Sequence, residues 1–132
     1  MDIDAIIKWF GNWTKLKIRI HTAERILYFR QKEIWWAALG ANVGFEQNGK
    51  SESFERPILV LRKFSKDMFL GVPLTSKIKT GFYYFDLTEA GIKSSVILSQ
   101  VRLMSSKRLL RRMGFIPTEI FVQVKERLKG II

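Results

Sequence analysis

Apolar side chains recur at Ile3, Ile6, Ile7, Phe10, Trp13, Leu16 and Ile20, three or four residues apart, with polar and charged positions between them. That period predicts an amphipathic helix over residues 2–20, with Asp2 and Asp4 near its electropositive end. Gly11 weakens the helix, and Leu16, Ile18 and Ile20 also alternate as a strand would, but the helix is favoured. The pattern then changes. Residues 34–39 form an apolar run rich in Trp, and residues 58–61 a β-branched and aliphatic one, and both predict strands. Between them runs a long connection with Gly40, Gly44 and Gly49 among Glu46, Gln47, Asn48, Glu55 and Arg56. Ordered connections of this length in small domains are often functional.

Beyond a polar turn at residues 63–67, short strands are predicted at 68–72, 82–87, 93–98 and 101–104, with a basic loop at 77–81. Pro117 opens a second helix to about Lys129, with Thr118 as its cap and Glu119 in the first turn. Ile120, Phe121, Val124 and Leu128 share one face of it, and Gly130 stops it. Short strands in close succession imply a mainly β, α+β fold: a small, strongly curved antiparallel barrel with helices outside. Trp35 and Trp36, adjacent in a strand, must face opposite ways, so one is core. One domain is expected, with residues 1–24 as an N-terminal helical extension and 25–132 as the barrel and C-terminal helix.

Composition narrows the function classes. Hydrophobic residues make up 47% of the 132, and there is no cysteine, so disulfides, thiolate metal sites and a Cys nucleophile are excluded. No apolar run approaches the roughly 18 residues of a membrane span, and the N-terminus has no signal pattern, so a cytoplasmic protein is expected. Lys and Arg number 23 against 12 Asp and Glu, a net charge of +11. That excess favours a polyanionic partner, nucleic acid first. A merely solvated basic surface is the plain alternative, and the spread of the charges argues against a membrane. His21 is the sole histidine, no phosphate-cradling Gly-x-x-x-x-Gly-Lys-Ser/Thr occurs, and no metal or cofactor is expected.

Arg, Thr, Ser, Glu and Gln on loops of a basic protein suit metal-free RNA cleavage. The 2′-hydroxyl is an intramolecular nucleophile, so the enzyme has only to orient the chain, stabilise charge and move protons. Arg56 suits the phosphate, since its fork donates two hydrogen bonds and keeps its charge. A carboxylate such as Glu46 is the better base, and Thr75 or Ser76 can donate to phosphate oxygen. Each residue also has a plainer reading: Arg56 could pair with Glu55 or Glu46, and Thr75 could bond to backbone.

Glu33-Ile-Trp-Trp, Gly44-Phe-Glu-Gln-Asn-Gly, Arg56-Pro-Ile-Leu-Val-Leu, Val72-Pro-Leu-Thr-Ser and Leu98-Ser-Gln-Val-Arg-Leu with Ser106-Lys-Arg-Leu strongly resemble, in order and spacing, the MazF/PemK family of toxin endoribonucleases. The resemblance spans roughly residues 30 to 130, leaving the N-terminal helix as an addition. It implies an SH3-like barrel of the CcdB/PemK/MazF type, usually a homodimer, that cleaves single-stranded RNA without metal and is controlled by an antitoxin. It also implies catalytic roles for Arg56 and Thr75, with Glu46 as the candidate base. Gln47, Asn48, Ser76, Lys77, Gln100, Arg102 and Lys107 form the expected substrate-binding set. Three positions depart from the family pattern. Ser99 stands where some members carry an acidic residue, Phe45 where some carry His or Ser, and Ser51 to Glu55 add length to the loop. Two rivals remain at this point: a nucleic-acid-binding barrel without catalysis, and a topoisomerase poison like CcdB.

Overall fold

The computed structural model describes residues 2–132. Helix α1 spans Ile3–Thr22, and the Asp2 carboxylate caps it by accepting from the Ala5 amide at 2.7 Å. Trp9, Trp13, Leu16 and Ile20 form its inward stripe, so the helical period prevails over the strand-like alternation. Trp13 is buried against Ala38, Ala41 and Phe54, its ring 5.5 Å from that of Phe54. The Trp13 ring also lies against Gly40, where a Cβ would come within 2.1 Å of it at φ +85°, so only glycine fits there.

Seven antiparallel strands follow: β1 Glu33–Ala38, β2 Glu55–Lys63, β3 Met68–Thr75, β4 Tyr84–Asp86, β5 Ser95–Ile97, β6 Arg102–Ser105 and β7 Leu109–Phe115. Their order is β4-β5-β3-β2-β1-β7, with β6 beside β3. The fold is thus α+β, as expected, although the hydrogen-bonded path runs from β4 to β7 without closing into a full barrel. The bend is concentrated at β3, whose outer edge is shared: Met68 to Gly71 pair with β6, and Leu74 and Thr75 with β5. Pro73, opposite Ile58, falls between those partners, where the missing N–H leaves no ladder bond unmade on that edge. The strand therefore passes through the proline and carries Thr75 at its end, beyond the predicted stop at residue 72.

One further boundary and one whole strand follow from the same cause, that backbone pairing outlasts the apolar pattern. Strand β2 starts at Glu55, not residue 58, because Arg56 and Glu55 pair with Ala37 and Ala38. Arg56 is therefore held in a strand and not in the loop. Strand β7 was not predicted: its Leu-Leu-Arg-Arg-Met-Gly-Phe run neither alternates nor avoids glycine, yet it pairs with β1 through two register shifts. Strands β4 and β5 are shorter than predicted. Helix α2, Thr118–Lys129, begins after Pro117 with no side-chain cap. Thr118 is instead the first helical residue and accepts from the Lys32 ammonium at 3.0 Å.

Alternation divides the core into two layers. Ile34, Leu59, Leu61, Val72 and Leu74 pack with Phe121, Val124 and Leu128 of α2. Trp35, Ala37, Ile58, Val60, Phe69, Met104 and Leu109 pack on the other face, with Phe29. Of the adjacent tryptophans, Trp35 is the core residue, and Trp36 lies half-buried under the Arg111 guanidinium at 5.0 Å.

Glu33 braces the start of β1. Burial alone would raise its pKa, but hydrogen bonds from the Trp35 indole, the Arg30 amide and the Arg112 guanidinium outweigh it and hold the carboxylate below the ordinary value. A depressed folded-state pKa adds stability that is present above the unfolded value and lost as pH falls through the folded one. Glu33→Gln is expected to cost about 1 kcal/mol at pH 7, discounted for the exposed Arg112. The gap to wild type should shrink below about pH 4.3 in urea titrations. A gap unchanged with pH would show that the charge contributes nothing.

Candidate active site

Strands β2 and β3 run antiparallel with Ile58 opposite Pro73, so two residues further along each come Arg56 and Thr75, at the adjoining ends of the strands. Neither belongs to the core clusters, although each is buried, at 7% and 9% exposure. The Arg56 guanidinium donates through NH1 to the Leu74 carbonyl at 3.1 Å and through Nε to the Asn48 carbonyl at 2.8 Å. With the Gln47 amide turned to satisfy both sides, its oxygen accepts from Arg56 NH2 at 2.8 Å. Among the described residues no carboxylate forms an ion pair with Arg56. Glu55, one of the two carboxylates that could have paired with Arg56, pairs with Arg111 of β7 at 2.6 Å instead. Burial pulls the Arg56 pKa below the ordinary arginine value, yet a guanidinium stays protonated near neutrality. The result is a desolvated, uncompensated positive charge.

Thr75 pairs with Ser95 of β5, and its Oγ1 accepts from the Lys77 amide at 3.3 Å, which leaves the hydroxyl proton free to donate. The Ser95 hydroxyl, fully buried, ties down Lys79 through both its amide and its carbonyl. Ser95 thereby shapes the loop beside Thr75, a role hidden in sequence because it looks like an ordinary strand serine. Ser76 and Lys77 are exposed at the start of that loop.

The long connection folds over Arg56. Gln100 spans it, accepting from the Gln47 amide at 3.2 Å and donating to the Phe45 carbonyl at 3.2 Å. Asn42 donates to the carbonyls of Leu39 and Gln47, and its own amide donates to Asn48 Oδ1 at 2.6 Å. Glu46 is exposed, and its Oε1 accepts from the Val43 amide at 2.9 Å. Gly49 would place a Cβ 1.6 Å from the Phe54 carbonyl oxygen, so the loop closes only with glycine there.

Two concavities flank the link from Gln47 to Arg56. One, of about 280 Å³, is lined by Glu46, Gln47, Ser99, Gln100 and Arg102. The other, of about 390 Å³, is lined by Trp36, Arg56, Leu74, Ser76 and Ser94. Arg56, Thr75, Gln47, Asn48 and Ser76 thus meet at one end of the sheet, and Glu46, Gln100 and Arg102 adjoin them across the loop. Lys107 does not join them. Its ammonium donates to the His21 carbonyl at 2.6 Å, at the end of α1. Arg108, part of the Ser106-Lys-Arg-Leu motif but not of the expected site, donates to the Ala38 and Leu39 carbonyls and fixes the start of the loop.

The same architecture recurs in solved structures. MazF from Deinococcus radiodurans is 18% identical and covers 80% of this chain and 96% of its own, with a TM-score of 0.65. An endoribonuclease from a mycobacterial species is 11% identical over 81% of this chain and 93% of its own, with a TM-score of 0.61. An endoribonuclease in complex with its cognate antitoxin, also mycobacterial, is 10% identical over 78% and 93%, with a TM-score of 0.58. At these identities the likeness establishes the fold. No curated protein matches the chain. The sequence profile of the PemK-like, MazF-like toxins of type II toxin-antitoxin systems matches residues 30–132, and the chain belongs to that family.

Proposed function

We propose that the protein is a metal-independent endoribonuclease that cleaves single-stranded RNA in the cytoplasm, acts as a homodimer and is held in check by an antitoxin. The observation that carries this reading is the buried Arg56 guanidinium, which pairs with no carboxylate among the described residues and lies at the end of the sheet where β3 ends in Thr75. A charge so placed matches an anion that binds there, and a phosphodiester fits its fork. The 2′-oxygen attacks phosphorus, the bond to the 5′-oxygen breaks and that oxygen takes a proton from water, so the products are a 2′,3′-cyclic phosphate and a 5′-hydroxyl. Arg56 stabilises the charge on the non-bridging oxygens, Thr75 donates to one of them, and Glu46 takes the 2′-hydroxyl proton. Gln47, Asn48, Ser76, Lys77, Gln100 and Arg102 hold the chain on either side. Substrate must displace the Gln47 amide and the Asn48 carbonyl from Arg56, so the loop lifts as RNA enters.

A second reading, RNA binding without cleavage, draws on Ser99, a neutral residue in the same concavity as Glu46. One experiment separates the two. Incubated with mixed-sequence RNA in excess chelator, the protein is expected to yield fragments with 5′-hydroxyl ends, and Thr75→Val to slow them by on the order of 10- to 100-fold. Salt-sensitive binding without fragments would favour the second reading.

A further inference from the structure

The family match begins at residue 30, so α1 lies outside it. One stripe of α1 holds it to the sheet, and a second faces solvent. Ile3, Ile7, Phe10 and Ile18, spaced four, three and eight residues apart, are 67%, 62%, 37% and 58% exposed. Four large apolar side chains in one line are more than the scattered exposure of an ordinary surface. The stripe leads into a largely apolar groove of about 320 Å³, lined by Lys17, Ile18, Ile20, His21, Lys107 and Arg108.

We infer that this stripe and groove dock an acidic, amphipathic helical segment of a different protein. Charge decides the occupant. Helix α1 carries Lys8, Lys15, Lys17 and Arg19 against Asp4 alone, and Lys107 and Arg108 add to the groove. A second copy would set like charges against one another. RNA would find three isoleucines and a single phenylalanine where it needs successive aromatic platforms for its bases. A bilayer suits a basic amphipathic helix, but a flat surface cannot fill a concavity built jointly by α1 and the turn at Ser106–Arg108. An apolar stripe with carboxylates on its flanks satisfies both the isoleucines and the cations, in the helix-in-groove manner.

The inference does not depend on the nuclease reading, since α1 carries none of that reading's residues. The test uses the full chain and a fluorescein-labelled synthetic peptide of about 18 residues, with Leu at helical spacing and Glu elsewhere. Anisotropy should give a Kd on the order of 10 μM, at least tenfold tighter than for a scrambled peptide of the same composition. The double variant Ile7→Glu, Ile18→Glu changes exposed positions only and should weaken binding about tenfold with an unaltered circular dichroism spectrum. Equal binding of the scrambled peptide, or no effect of the variant, overturns the proposal. So does binding of phosphatidylserine vesicles or single-stranded RNA that competes with the peptide and is lost in the same variant. A shift of the unliganded variant to a smaller species in sedimentation would assign the stripe to a second copy and overturn it as well.

Discussion

Replacing Arg56 with alanine is expected to lower the rate of RNA cleavage by at least 10²- to 10³-fold, the scale for removing one preorganised donor from developing charge. The loss should fall on kcat more than on RNA binding, because the cations at Lys77 and Arg102 remain. Arg56→Lys keeps the charge but not the fork, so it should recover little. Alanine also leaves the Asn48 and Leu74 carbonyls without their donor, which costs about 1–3 kcal/mol. Thermal melts run beside the cleavage assay separate that cost from the chemistry. Cleavage by a folded Arg56→Ala protein at a rate within tenfold of wild type would remove the guanidinium from the reaction.

Trp13→Ala is expected to give the largest stability change, about 3–5 kcal/mol by denaturant titration. The indole is 6% exposed and fills the space against Gly40, Ala38, Ala41 and Phe54. The effect should reach the site. The Phe54 carbonyl accepts from the amides of Leu39 and Gly40, so a Phe54 without its aromatic neighbour loosens both ends of the loop over Arg56. Hydrogen exchange at the Leu39 and Gly40 amides should then rise before global unfolding. A change below about 1 kcal/mol would mean that α1 is only tethered to the sheet.

Much of this was legible in the sequence because periodicity and ordered motifs report burial and register directly. The α1 stripe and the α+β class could be read that way, and the Arg56 and Thr75 positions came from the motifs. What escaped was decided by neighbours far along the chain. Strand β7 exists because β1 needs a partner on its open edge, and its own side chains announce neither strand nor helix. Pro73 looked like a strand end, and the break between β5 and β6 along the edge of β3 is what lets it sit inside. The partner of Glu55 could not be read from adjacent residues, since Arg111 reaches it only once β7 is in place. The Ser106-Lys-Arg-Leu motif groups Lys107 with the substrate residues, whereas a one-turn helix turns it toward α1.

The segment from Ser51 to Glu55 and helix α1, which lies outside the family match, act as one unit. Phe54 of that segment supplies the ring against which Trp9 and Trp13 of α1 lie. A chimera that received the helix without those residues would carry two unmatched indoles, and one that received the residues alone would carry a bare phenyl group. In any exchange of segments with another protein the two must travel as a pair.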